Sequence, residues 1–168
     1  GLALDALQPI KSIIERIKES ILGQQLNNQH SILPVDPCLL GEGPTWNPIS
    51  QTFFWVDILK NRLHSWHADS QTHQSWAFEK MIGCLGVCKS GQLIIALQDE
   101  VITFDPSQGM PSRQRLCLLD EQIPANRAND GKVDPWGRFW VGTMSTIDGD
   151  KTGQLTCIDK HGNKTVIE

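Results

Sequence analysis

The spacing of apolar residues divides the chain into two parts. Within residues 1–30, isoleucines recur at i, i+3 and i+4, at positions 10, 13, 14, 17 and 21, which predicts one amphipathic N-terminal α-helix. Pro9 suits its first turn and Gly23 the position after its end. The opposite face mixes lysine and glutamate, so we expect packing on the domain or a partner rather than on a membrane. "QQLNNQH" then reads as a polar linker, and residues 36–168 form the second part.

From about residue 39 the pattern is that of β-strands. Short apolar runs are separated by turn signals about 8–12 residues apart, which is typical of a sandwich, a barrel or a propeller. Three segments repeat one order of strand, polar turn, strand, gap and strand, with a period of about 40 residues, and this favours propeller blades. Equivalent positions are Trp55, Ile94 and Trp140 on the second strands, and Trp66, Phe104 and Ile158 on the third strands.

Composition excludes several classes of function. The chain has 168 residues, of which 39% are hydrophobic and 20% charged, as in an ordinary globular domain. Its net charge of −4 and the lack of a basic run give no case for nucleic acid. No apolar stretch approaches the roughly 20 residues of a membrane span, and no signal peptide is evident. We therefore expect a cytoplasmic protein without a membrane partner.

The cysteines offer a weak metal signal. There are five, an odd number, and no CxxC pair. The spacing Cys84-x3-Cys88 could suggest a metal site, but small buried strand residues in a reducing cytosol are the favoured interpretation. His64, His67 and His73 lie in a polar stretch, and we expect surface histidines there. Asp57 is expected to be a strand-end turn residue rather than a ligand.

Two long stretches carry a family resemblance. "LGEGPTWNPISQTFFWVDILKNRLHSW" (40–66) and "RANDGKVDPWGRFWVGTM" (127–144) closely resemble the gluconolactonase, regucalcin (senescence marker protein) and luciferin-regenerating-enzyme family. The resemblance implies a six-bladed β-propeller with a divalent cation in its central channel. The expected fold is therefore all-β, about three blades of such a propeller, preceded by the N-terminal helix. Residues 36–168 would be the N-terminal half of the propeller, and the helix is not part of the family's usual pattern.

The resemblance also implies roles for individual residues. Glu42, in the G-E-x-P motif, would be a metal ligand. Arg127 and Asn129, in R-x-N-D, would bind the sugar lactone, while Asp130 would be structural. An Asn and an Asp that complete the metal site belong to later blades, beyond Glu168, and that Asp is the family's acid/base. No catalytic residue is thus expected in this chain, and "STIDGDKTG" offers no clear equivalent of a further acidic substrate contact.

The chemistry of these residues agrees with those roles but leaves alternatives open. Glu42 lies between two glycines and before Pro44; an isolated motif of this kind could be a solvated acidic turn. With oxygen ligands, such a site suits Ca²⁺, Mg²⁺ or Mn²⁺, and Zn²⁺ stays open. Arg127 and Asn129 point the same way in extended backbone, where they can hold the oxygens of a polyol. The alternative is a rim ion pair.

That ion pair would join Arg127 to Asp130 or Asp134. The tetrapeptide Asp134-Pro135-Trp136-Gly137 instead predicts a type I turn between two strands of one blade. The polar stretch that begins at residue 126 would then have two parts. Residues 127 and 129 belong to a site, and residues 134–137 form a turn.

The expected function is metal-dependent hydrolysis of an aldonolactone to an aldonic acid by the complete family enzyme. Residues 1–168 alone are expected to lack substantial activity. Two other classes stay open, namely a non-catalytic propeller that binds a metal or a partner, and an inactive truncated product. Because half a propeller exposes strand edges and apolar blade faces, we expect it to need its missing half or self-association.

Overall fold

Three four-stranded antiparallel sheets make up the part of the chain that the computed structural model describes, residues 32–167. The predicted N-terminal helix lies outside the described residues. The residues from Asp36 onward form a compact unit of their own. The prediction of an all-β architecture is confirmed for this part of the chain, which contains twelve strands and a single 3-10 turn at Met110–Ser112.

Each sheet is a meander in which strands adjacent in sequence are adjacent in space. The first sheet contains β1 (Gly41–Asn47), β2 (Thr52–Asp57), β3 (Arg62–His67) and β4 (Thr72–Ala77). The second contains β5 (Ile82–Val87), β6 (Leu93–Leu97), β7 (Glu100–Phe104) and β8 (Gln114–Leu118). The third contains β9 (Asn126–Val133), β10 (Phe139–Ser145), β11 (Leu155–Ile158) and β12 (Lys164–Val166).

The aligned repeat positions fall on equivalent strands. Trp55, Ile94 and Trp140 lie on β2, β6 and β10, the second strand of each sheet. The third-strand positions likewise lie on β3, β7 and β11. The repeat pattern did not identify the fourth strands, β4, β8 and β12, whose residues are mostly exposed.

The first strands of the three sheets lie side by side, with β5 packed between β1 and β9. We call these three the inner strands. Glycines allow their close approach: a Cβ added at Gly83 would lie 2.6 Å from the carbonyl carbon and oxygen of Ala128. A Cβ added at Gly131 would lie 2.7 Å from the Sγ atom of Cys84. Meandering sheets joined at their first strands are three consecutive blades of a β-propeller.

The core lies between the sheets. Because the second sheet is covered on both faces, β6 is buried along its whole length and reads as an uninterrupted apolar run, "LIIAL". Each large apolar side chain buried here contributes about 1.5–3 kcal/mol. One cluster, between the first and second sheets, includes Phe54, Leu63, Ile82 and Phe104. The other, between the second and third sheets, includes Val101, Ala128, Phe139 and Val141.

Every inner strand has a β-bulge near its start. The register shifts between Glu42 and Thr45 in β1, and between Ile82 and Cys84 in β5. In β9 the shift falls between Ala128 and Gly131, opposite Val141–Thr143 of β10. A bulge turns side chains away from the regular alternation, so these three bulges redirect side chains at one end of the blades.

No helix of the described residues has both the length and the apolar character that crossing a membrane requires.

We predict that Gly83→Ala destabilises the fold by about 1–3 kcal/mol, the cost of overpacking. The new methyl group would meet backbone atoms of β9, which cannot rotate away as a side chain can. Urea unfolding measures the effect. Gly142→Ala is the matched control, since its Cβ would lie 3.5 Å from the nearest atom, the Asp130 carbonyl oxygen. Equal stability of the two variants would contradict the packing role of Gly83.

Candidate functional site

The three inner strands begin at the same end of the blades, which we call the upper face. Glu42 is the second residue of β1, and it is exposed. Its neighbour Gly43 has a left-handed φ of +60°, a conformation that glycine adopts without strain. Among residues 32–167, the Glu42 carboxylate has neither a hydrogen bond nor an ion pair. The carboxylate is therefore free to take a ligand at the upper face.

Arg127 and Asn129 lie near the start of β9, and their side chains meet. The Nη1 atom of Arg127 donates to the Ala128 carbonyl oxygen at 3.0 Å and to the Asn129 Oδ1 atom at 3.4 Å. The guanidinium forms no ion pair with Asp130 or Asp134: the Gly131 amide donates to Asp130, and Asp134 pairs with Arg138. A guanidinium and an amide are thus presented together, as their spacing in sequence predicted.

At the upper face, Glu42 of β1 and Asn129 of β9 are separated by one inner strand, β5. A Cβ added at Gly43 would lie 3.9 Å from the Cα atom of Cys84. On the other side of β5, a Cβ added at Gly83 would lie 2.8 Å from the Asn129 carbonyl oxygen. The backbone of β1 next to Glu42 and the backbone of β9 at Asn129 therefore flank the same short segment of β5.

Arg127 also lines an open cavity of about 660 Å³ at the upper face. Met81, just before β5, and Ser145, at the end of β10, contribute to its wall. The loop after β10 adds two acids, Asp148 and Asp150. Neither acid could be aligned with a residue of the family motifs. The only sequence signal for them was the acidic character of "STIDGDKTG".

A buried polar network fixes the start of β9. The Nδ2 atom of Asn126 donates to Asp120 Oδ2 at 2.6 Å and to the Thr152 carbonyl oxygen at 2.7 Å, and its Oδ1 atom accepts from Thr152 Oγ1. Thr143 Oγ1 also donates to Asp120 Oδ2. Asn126 is only 4% exposed, and its three hydrogen bonds tie it to Asp120 and Thr152. This network positions the neighbouring Arg127.

The turn predicted at residues 134–137 is present, at the end of the blade opposite the upper face. The Gly137 amide donates to the Asp134 carbonyl oxygen, and the Asp134 carboxylate accepts from Trp136, Arg138 and Trp140. Desolvation raises the pKa of Asp134, but hydrogen bonds from Trp140 and from the backbone and side chain of Arg138 outweigh it and lower the pKa to about 2. Asp134 is therefore a structural acid.

The prediction of surface histidines is wrong for His64, which is 8% exposed. Its Nδ1 atom lies 3.0 Å from Nε2 of His73, and its ring stacks on Trp55 with a centroid distance of 5.2 Å. Burial, and then the neighbouring His73, lower the pKa of His64. The polar residues around His64 in the sequence gave no sign of its burial. The burial arises because Trp55 of the neighbouring strand covers the ring.

Asp57, the last residue of β2, is fully buried. Its carboxylate accepts from the backbone amides of Leu39, Leu40 and Lys60. Burial raises the pKa of Asp57, but these three hydrogen bonds and the Lys60 charge outweigh it and hold the pKa below its ordinary value. Asp57 is thus a turn residue, as predicted, and it also ties the segment before β1 to the first sheet.

Blades of four strands, with a free carboxylate and a guanidinium–amide pair at the face where the inner strands begin, define a propeller-type protein with a polar upper face. Residues 40–168 match the family described as SMP-30/Gluconolactonase/LRE-like region. The chain belongs to this family, and the resemblance that the two motifs indicated is confirmed.

Individual relatives agree. The chain is 34% identical over 131 residues to a 6-deoxy-6-sulfogluconolactonase of Pseudomonas putida, covering 78% of this chain and 44% of that protein. It is 37% identical over 106 residues to a regucalcin of Xenopus laevis, covering 63% of this chain and 35% of that protein. A crystal structure of a calcium-binding protein, regucalcin, from Agrobacterium tumefaciens superposes with a TM-score of 0.73 at 32% identity, covering 81% of this chain and 45% of that one.

The chain therefore spans less than half the length of these relatives.

Replacing Asn126 by Ala removes three hydrogen bonds and leaves the half-buried Asp120 carboxylate without one of its donors. Because an unsatisfied buried polar group costs about 1–3 kcal/mol, we expect a loss of unfolding free energy of at least that size, measured by urea denaturation. Asn163→Ala, in an exposed turn, is the control and should lose less. Comparable losses would show that the network does not fix β9.

The low pKa of Asp134 predicts a specific acid response. Because the folded-state pKa, about 2, lies below the ordinary value of 3.8, its stabilising contribution is fully present above pH 3.8 and is lost as the pH falls through about 2. Asp134→Asn should be less stable than the wild type at neutral pH. The two urea midpoints should converge toward pH 2.

Asp69→Asn, which removes an exposed acid from another turn, controls for the change in net charge. A constant gap between the wild type and Asp134→Asn across the acid range would contradict the role of the carboxylate.

Proposed function

We propose that the complete protein hydrolyses a sugar lactone to its sugar acid with the help of a divalent cation, and that this chain supplies Glu42, Arg127 and Asn129. The observation that carries the proposal is the meeting of the Arg127 guanidinium with the Asn129 amide, at the face where Glu42 is free. Lactonase names among the relatives support the class of reaction.

Glu42 fits the part of a metal ligand. Its carboxylate is exposed and has no competing cation among residues 32–167. A single carboxylate joined by amide and water oxygens suits a hard ion, so Ca²⁺, Mg²⁺ or Mn²⁺ is the proposed cofactor, with Zn²⁺ as the alternative. A cation bound there supplies positive charge close to the lactone carbonyl oxygen, where hydrolysis develops negative charge.

Arg127 and Asn129 would orient the lactone. A guanidinium has five N–H donors, and Arg127 directs one nitrogen to Ala128 and Asn129, which leaves the rest of the fork for substrate oxygens. The Asn129 amide can donate to a hydroxyl of the sugar and accept from another. The cavity beside Arg127, about 660 Å³, has the size of a small-molecule site.

In the reaction, the oxygen of water adds to the carbonyl carbon, and the ring C–O bond then breaks. The water loses a proton to a general base, and the ring oxygen gains one as it becomes a hydroxyl group. We expect the acid/base carboxylate on a further blade, as the resemblance implies. The role of this chain is to hold the lactone so that its carbonyl faces that carboxylate.

The ring of blades would be completed by further blades or by self-association. On the third sheet, Met144 and Leu155 expose 39% and 38% of their surface, and another blade would cover such apolar side chains. The five cysteines are free thiols, which supports a reducing cytoplasm as the proposed compartment.

The test uses the protein encoded by the complete reading frame, assayed for acid release from a panel of aldonolactones. We expect hydrolysis that a chelator abolishes and a divalent cation restores. Glu42→Gln and Arg127→Met should each lower kcat/KM by roughly 100-fold or more, the scale of losing one electrostatic contact to the transition state. With Glu42→Gln, the concentration of cation needed should also rise.

Asp69→Asn and Arg115→Met are the matched controls, since Asp69 is exposed in the turn after β3 and the Arg115 side chain is 63% exposed on an outer strand. Both should retain activity. Hydrolysis that neither Glu42→Gln nor a chelator affects would contradict the metal role. Cation binding without turnover of any lactone would instead indicate a non-catalytic binding propeller.

A further inference from the structure

A second group of potential ligands lies in the first sheet. Cys38, Asp57 and His64 each offer one ligand atom, and these atoms all lie within 4.8 Å of one another. They come from three segments: the stretch before β1, the end of β2 and the middle of β3. Glu42 does not belong to this group, although its neighbour Gly41 pairs with Asp57 in the first sheet.

The imidazole of His64 has one nitrogen without a partner. Its Nε2 atom is buried and has no hydrogen bond within residues 32–167, whereas Nδ1 lies 3.0 Å from His73 Nε2. If Nδ1 carries the proton and donates it to His73, Nε2 keeps its lone pair. Histidines that bind metals show this arrangement, in which the second nitrogen donates to a neighbouring group. The stack on Trp55 holds the ring, with 9° between the two planes.

Asp57 keeps capacity for a further contact. Its Oδ1 atom accepts from the amides of Leu40 and Lys60, while Oδ2 accepts from the Leu39 amide and lies 3.8 Å from the Lys60 ammonium nitrogen. A carboxylate oxygen has two lone pairs, so Oδ2 retains one. The backbone amides fix the carboxylate in the way that hydrogen bonds orient a metal-binding carboxylate.

Cys38 supplies a thiol that is both free and accessible. It is half-buried, unlike Asp57 and His64. It also lies against the start of β1, because a Cβ added at Gly41 would be 3.6 Å from its Sγ atom. An ion can therefore reach the group from the side of Cys38.

We propose that Cys38, Asp57 and His64 bind one Zn²⁺ ion, with water as the fourth ligand. A thiolate, an imidazole and a carboxylate together favour zinc over calcium or magnesium, which require oxygen ligands. The ion would connect the segment before β1 to β2 and β3. Its role would be to stabilise the first blade, beside the strand that carries Glu42.

Cobalt(II), which substitutes for zinc and has visible absorption, tests the proposal on the full chain. We expect one equivalent of Co²⁺ to produce a sulfur-to-cobalt charge-transfer band and the intense visible bands of a tetrahedral ion, and Zn²⁺ to remove both. Excess Ca²⁺ or Mg²⁺ should leave them. Zn²⁺ should also raise the Tm of the wild type.

Cys38→Ser and His64→Gln should abolish the charge-transfer band and the rise in Tm. Cys88→Ser, which alters another half-buried thiol, and His67→Gln, which alters another histidine of β3, are the matched controls and should retain both. Circular dichroism verifies that each variant is folded. If His64→Gln is unfolded, Cys38→Ser alone tests the proposal. This variant should fold, because it only replaces the sulfur atom of a half-exposed side chain by oxygen.

Absence of the charge-transfer band in the wild type, or its persistence in Cys38→Ser, would overturn the proposal. The band should persist in Glu42→Gln, and its loss there would also overturn the proposal, because the thiolate bound to cobalt would then belong to a site that includes Glu42. The zinc site does not depend on the proposed lactonase function. Its readout is absorption and stability, so failure of the lactone assay leaves this test unaffected.

Discussion

The close approach of the inner strands is the constraint on which the rest of the structure depends. β9 can lie directly against β5 only because Gly83 and Gly131 carry no side chain, since a Cβ at either position would collide with backbone or sulfur atoms. That approach brings the starts of β1 and β9 to either side of one short segment of β5. The backbone at Glu42–Gly43 and the backbone at Asn129 therefore lie on either side of β5. Two small residues in the second and third sheets therefore determine the geometry of the polar face.

Polar groups in the fold have two different tasks. Asn126 and Asp134 are surrounded by hydrogen-bonding partners from the protein itself, and they fix the start of β9 and the turn that follows it. Glu42 and most of the Arg127 fork are left unengaged among the described residues. Because internal partners compete with external ligands, a fully satisfied acid such as Asp134 is poorly suited to binding. Hydrogen-bond satisfaction thus separates structural residues from candidate ligands within the same polar sequence.

Those features of the fold that have a local sequence signal could be predicted from the sequence. The repeat of Trp55, Ile94 and Trp140 identified the second strands, and the turn at residues 134–137 followed from its Asp-Pro and Gly. The fourth strands were missed because their exposed residues have no apolar alternation to detect. The burial of His64 was missed for another reason: it depends on Trp55, nine residues away in sequence and directly opposite in the sheet. The cluster of Cys38, Asp57 and His64 joins three segments, so no single motif could show it.

The meander topology has a consequence for how the chain is made. Each sheet is built from one uninterrupted segment, and its strands pair in the order in which the ribosome delivers them. All hydrogen bonds of the first sheet can therefore form while the second is still being synthesised, at roughly 5–20 residues per second. The second sheet is then synthesised next to the folded first sheet, against which its residues Ile82 and Phe104 pack. Assembly can proceed blade by blade during translation, so that most strands form their interstrand hydrogen bonds soon after they are synthesised.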